Sequence, residues 1–173
     1  RMRSDFGGST ITQQLVNNLT GDKQDTVRRK LQEIERALYI ERHYTKDTII
    51  ELYLNTIYLS QGCYGVSTAA EVYFDKDVSQ LSLAECASLI GITNLPTYYD
   101  PFVNPENNIK RQRATLKKML ELGRITQEEY DAAIQEELVF KHEKRAQENN
   151  NKQSYFVDQI ITDVIRDLMD EQG

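Results

Sequence analysis

Between residues 29 and 36 the chain places Arg29, Lys30, Glu33 and Arg36 at spacings of three and four. On a helix those spacings gather Arg29, Glu33 and Arg36 on one face, with Lys30 beside them and Arg28 on a neighbouring face. Two chemistries fit such a cluster. One is a solvated face with an i, i+4 ion pair, worth a few tenths of a kcal/mol (~0.3–0.5). The other is a cationic clamp holding one carboxylate, suited to a phosphate or pyrophosphate. Spacing does not decide between them.

A second polar concentration lies upstream, in GGSTITQQLVNNLT at residues 7–20. Here Ser9, Thr10, Thr12, Gln13 and Gln14 crowd the first turns of a helix behind two glycines. A glycine-led helix start presents free N–H groups and a positive dipole end, which favours an anion or polar ligand. A capped helix with a polar first turn explains one hydroxyl and one amide and leaves the other three. Further on, Glu51 and Asn55 share the narrow polar strip of an otherwise apolar helix. Buried polar groups need hydrogen bonds, so this pair either braces the fold or lines a cleft, with the loop Gln61–Gly65 beside it.

Other chemistries are excluded by type. There is no H-E-x-x-H, C-x-x-C, G-x-S-x-G, P-loop or G-x-G-x-x-G. Cys63 and Cys86 lack metal-ligand spacing, and His43 and His142 are the only histidines. The cysteines read as two small buried hydrophobes, with one disulfide as the alternative in an oxidising compartment. A net charge of −6 argues against a nucleic-acid partner, whose footprint is a basic stripe. An anionic substrate would therefore be held by a local basic cluster.

The elements that must position these residues are helices. The chain has 173 residues, 39% apolar and 28% charged, enough for about one domain with a real core. No window approaches the ~20 apolar residues that span a bilayer. Period-2 alternation is nearly lacking, so the fold class is all-α. Thr10 and Gln13 have capping-box spacing and start the first helix. A second runs from about Thr26 to Arg42, with Val27, Leu31, Ile34 and Leu38 as its apolar stripe. Thr45 caps a third, apolar around most of its circumference and so expected to be buried. Two short helices follow, the later one capped by Ser82, and then a loop holding all three prolines. Helices from Pro105 to Leu122 and from Thr126 to Glu137 complete a domain over residues 1–140. Residues 141–153 read as a linker. Residues 154–173 form an amphipathic helix whose stripe of Phe156, Ile160, Val164 and Leu168 must dock on something.

Together these segments resemble a family. GGSTITQQLVNN (7–18), RKLQE (29–33), KDTIIELYLNTIYLSQGCYGV (46–66) and RQRATLKKM (111–119) are similar, in order and spacing, to four of the five motifs of the peptidoglycan glycosyltransferases. This is glycosyltransferase family 51, the polymerising domain of class A penicillin-binding proteins. The resemblance covers residues 7–134 and includes LPTYYDPFVNPE.

It implies a lysozyme-like, mostly helical fold and a reaction that polymerises lipid II into β-1,4 glycan with release of undecaprenyl pyrophosphate. The implied partners are lipid II, the growing lipid-linked glycan, and a membrane reached through an anchor upstream. The implied location is the extracytoplasmic face of the cell membrane. Arg29 and Lys30 match the basic pair facing the donor's pyrophosphate, and Glu33 matches the donor-site carboxylate. Ser9, Thr10, Gln13 and Gln14 match residues that line the cleft. Glu51, Asn55, Gln61 and Gly65 match a motif that is largely scaffold. No cofactor is required, and a divalent ion near the pyrophosphate is an option.

The departures carry expectations of their own. The family's first motif, E-D-x-x-F-x-x-H-x-G, holds the proposed general base and belongs N-terminal to Gly7. The six residues there do not contain it, so this segment alone is expected to be inactive and to be part of a longer protein. Asn17 stands where a lysine is usual, and Gln112 where an arginine is common. A transpeptidase half, expected downstream in the parent, has none of its motifs here. Two rivals share the helical reading: a lysozyme-like hydrolase or lytic transglycosylase, and a non-catalytic helical interaction module.

Overall fold

Hydroxyl side chains write the helix starts of this chain. The computed structural model describes residues 9–21, 26–141 and 160–166. Helix α1 (Ile11–Thr20) opens on a reciprocal capping box between Thr10 and Gln13 and ends at Gly21, whose φ of 64° suits glycine. Thr26 caps α2 (Val27–His43), and Thr45 caps α3 (Lys46–Thr56). After Gly65, α4 (Val66–Phe74) leads to a short 3₁₀ turn at Val78–Gln80. Ser82 and Glu85 box the start of α5 (Leu83–Ile92). Proline sits in the first turn of α6 (Pro105–Glu121), and Thr126 with Glu129 boxes α7 (Gln127–Gln135). Among the described residues the only β feature is an isolated bridge between Tyr58 and Tyr64. The fold class is all-α, as expected. No described helix is long and apolar enough to cross a membrane.

The chain forms two compact units, residues 1–57 with 153–173, and residues 58–152. In the first, α1 packs against both α2 and α3. Its core holds Leu15, Val16, Ala37, Ile40, Ile49 and Leu52. Here one expectation is reversed. The stripe Val27, Leu31, Ile34 and Leu38 faces outward, with Val27 80% exposed, whereas Glu33 is 2% exposed. The reason lies in a competing stripe. Glu33, Ala37 and Ile40 also fall at i, i+4, i+7, and a carboxylate can be taken inside when cations accompany it.

Helix α3 is also less enclosed than its composition implied. Ile49, Leu52 and Tyr53 are buried, but Ile50 and Glu51 are exposed. A short helix over residues 160–166 groups with the first unit and buries Val164. Phe156, Leu168 and residues 142–153 of the expected linker lie outside the described residues.

The second unit is built on α5, α6 and α7. Ala84, Ala87, Leu116 and Ala133 form a small-residue core, with Leu83, Tyr130 and Ile134 packed against it. Gly91 lets α6 come close: a methyl group there would stand 3.0 Å from Cγ of Arg111. Buried amides tie the two helices. Ser88 and Asn108 bond side chain to side chain at 2.6 Å, and Gln112 donates to the Ala84 carbonyl at 3.2 Å. Both cysteines are free thiols, and they differ in burial: Cys63 is inside, while Cys86 is exposed, against the expectation that both are buried. Burial, with Asp100 nearby, pushes the Cys63 thiol up to about 12.

Two measurements check this packing. Leu38→Ser is expected to change unfolding free energy in urea by less than ~1 kcal/mol, and Ile40→Ala to cost about 2–4 kcal/mol. Equal losses would mean that the outer stripe is covered. A thiol reagent at neutral pH is expected to label one cysteine in the native chain, Cys86, and both after denaturation. Native labelling of Cys63 would contradict its burial.

Candidate functional site

The reversed face of α2 brings the sequence-predicted basic pair and its carboxylate against α1. Nη1 of Arg29 donates to Oε2 of Glu33 at 2.8 Å, and Nζ of Lys30 donates to Oε1. Both carboxylate oxygens therefore meet a cation, which is how a group 2% exposed stays ionised. Burial pushes the Glu33 pKa up, but hydrogen bonds from Lys30, Asn17 and Arg29 outweigh it and hold the value below the ordinary 4.5. One carboxylate against two cations leaves the cluster a positive charge in excess. Arg28 is exposed, and Arg36 forms no ion pair among the described residues.

Helix α1 supplies the other wall. Lys30 also donates to Oγ of Ser9 at 2.9 Å, and Arg29 also donates to Oδ1 of Asn17 at 3.1 Å. Thr12 donates to Glu41 at 2.7 Å, a further tie between α1 and α2. Gln14 accepts from the Tyr53 hydroxyl at 3.1 Å, which ties α1 to α3. Thr10 and Gln13 are spent on the capping box. Of the four residues expected to line the cleft, only Ser9 thus touches the ionic cluster. A cavity of about 500 Å³ opens nearby, bounded by Thr10, Thr12, Glu41, Tyr44, Lys46 and Ile49. Arg29, Lys30 and Glu33 are not on its walls.

The scaffold residues fall elsewhere. Asn55 donates to the Glu51 carbonyl at 2.8 Å one turn back. Gln61 and Gly65 belong to the second unit, where Gln61 donates to Asp100 at 2.6 Å. Gly65 takes a φ of 82° at the start of α4. Arg111 lies over the Tyr99 ring at 5.7 Å, while Arg113 is exposed. A divalent ion does not fit beside Glu33. Both its oxygens are engaged by cations, and no described group of three His, Cys, Asp or Glu residues could hold a metal.

Comparison with known proteins decides the family. Residues 1–120 match the sequence profile of the family described as Transglycosylase. The chain belongs to that family. Penicillin-binding protein 1A of Aquifex aeolicus is 46% identical over 154 residues, covering 89% of this chain and 21% of the relative. A putative transglycosylase of Cupriavidus necator is 48% identical over 132 residues, covering 76% of this chain and 57% of that protein. The crystal structure of penicillin-binding protein 1A from Haemophilus influenzae superposes with a TM-score of 0.54 at 29% identity, over 82% of this chain and 18% of that one. The chain thus spans about a fifth of the length of the penicillin-binding proteins it matches. It is a glycosyltransferase-type domain homologous to those of class A penicillin-binding proteins, and its helical fold is of their lysozyme-like kind.

Within this transglycosylase domain, sequence reading grouped Arg29, Lys30 and Glu33 and set Asn17 apart as a lost cation; the structure places Ser9 and Asn17 against the two cations.

The depressed pKa of Glu33 has a pH signature. Its ionised form stabilises the fold fully above about 4.5, and that contribution is lost as pH falls through the lower folded value. The wild type is expected to exceed Glu33→Gln in urea-unfolding free energy by a constant margin from pH 7 to 5. That margin should close at more acidic pH. A margin independent of pH would show that Glu33 is not an ionised, paired group.

Proposed function

We propose that the chain is the donor-site part of a peptidoglycan polymerase, acting on lipid II. The observation that carries this reading is the buried Glu33 flanked by Arg29 and Lys30. In the reaction, the acceptor's 4-hydroxyl oxygen attacks the donor's anomeric carbon with inversion. The bond to the lipid pyrophosphate breaks, its electron pair leaves with the pyrophosphate, and the hydroxyl proton goes to a base.

The geometry supports a division of labour. A carboxylate with both oxygens on cations and a lowered pKa is a poor proton acceptor, so Glu33 is not the base. Its part is electrostatic. It fixes Arg29 and Lys30 before charge develops on the leaving pyrophosphate. Lys30, 41% exposed, is the cation best placed to turn outward to a ligand. The base is assigned to the first motif of the family, outside these 173 residues. In the longer protein the domain works at the extracytoplasmic face of the membrane, held by an upstream anchor and followed by a transpeptidase domain.

The test is polymerisation of labelled lipid II. The longer protein carrying the first motif should make glycan, and Glu33→Gln in it should cut the rate by at least about a hundredfold. The 173-residue segment alone should make none. Near-normal product from the Glu33 variant would return the cluster to a surface ion pair, and glycan from the segment alone would place the base within it.

A further inference from the structure

Arg29 is held by unusually few contacts for a residue on which the donor site depends. Its side chain is 20% exposed. Among the described residues its Nε is buried without a partner, and its only bonds run through Nη1. Lys30, its neighbour, has a second anchor in Ser9. One ion pair through one nitrogen leaves a planar guanidinium free to swing about that contact. A second fixed point is needed for the fork to hold an angle.

We infer that Asn17 is the positioning residue that supplies this point: its carboxamide oxygen accepts from the Arg29 Nη1 that also donates to Glu33, at 3.1 Å and 2.8 Å respectively. The same side chain stands beside the anion and, after Lys30, helps to lower the Glu33 pKa. Its carboxamide oxygen accepts from the cation without adding charge. Lysine has no acceptor for Arg29. Aspartate would cancel the cluster's single positive excess. The residue type follows from the geometry. With Asn17 neutral, the site offers a pyrophosphate a net charge of one, carried by cations whose directions are fixed from α1.

The inference rests on the donor-site reading for its consequence but not for its geometry, and two readouts separate them. The first is the carboxyl titration of Glu33, followed by carbon NMR in the 173-residue chain. Asn17→Ala should raise the Glu33 pKa by about one unit, and Asn17→Asp by more. Asn18→Ala, on an exposed position of α1, should leave it unchanged. The second is calorimetric binding of inorganic pyrophosphate, which Asn17→Ala should weaken about tenfold. Alanine favours helix, so the variant keeps α1, and circular dichroism checks this. An unmoved Glu33 titration in Asn17→Ala overturns the inference, as does equal pyrophosphate affinity in that variant and a binding wild type. If the titration moves while the wild type binds no pyrophosphate, Asn17 positions the pair and the donor-site reading fails.

Discussion

The first unit depends on one buried carboxylate. Taking Glu33 out of water costs roughly several kcal/mol, and only partners of opposite charge with good hydrogen bonds offset it. Arg29 and Lys30 meet that need from one turn back on the same helix. Once they do, α2 must turn its ionic side toward α1, and its conventional apolar stripe must turn away. The helix is inverted relative to its composition because three charges are satisfied together, while Val27 and Leu31 can be left in water at modest cost. A carboxylate without those cations would have sent α2 the other way round.

That inversion gives the opening polar run its use. Ser9 and Asn17 reach the two cations, Thr12 reaches Glu41, Gln14 reaches Tyr53, and Thr10 with Gln13 closes the helix start. Every one of these groups has a partner inside the unit. A stretch that looks like a ligand-binding wall is in large part the hydrogen-bonding surface by which α1 fixes its neighbours. In the proposed donor site it would act on a ligand through the cations it aims.

What could be read from sequence followed locality. Helix starts at Thr10, Thr26, Thr45, Ser82 and Thr126 were legible because a cap is a contact across three residues. The inward face of α2 was not. Val27-Leu31-Ile34-Leu38 and Glu33-Ala37-Ile40 have the same period, and only tertiary partners choose between them. Gln112 looked like a lost arginine. It proves to be a buried amide bonded to the Ala84 carbonyl, a role set by the close approach of α5 and α6 at Gly91. The members of the ionic site were legible as a motif. Their mutual geometry, and the part of Asn17 in it, needed α1 beside α2.

The second unit shows what a buried carboxylate does when no cation among the described residues accompanies it. Asp100, 1% exposed, accepts from the Ser60 hydroxyl at 2.7 Å, the Gln61 amide at 2.6 Å and the Phe102 backbone at 2.9 Å. These donors are neutral. They pin a turn in which Ser60 and Gln61 hold φ values of 66° and 48°, each a cost of about 1–2 kcal/mol for a non-glycine residue. The uncompensated negative charge, added to burial, pushes the Tyr73 hydroxyl and the Cys63 thiol up, away from ionisation. Its field therefore suppresses nucleophiles and is spent on shape. Glu33 and Asp100 are both hidden acids, yet only the one with two cations leaves a positive surplus that an anion could meet. Surplus charge, more than burial, is what sets the cluster of α1 and α2 apart from Asp100.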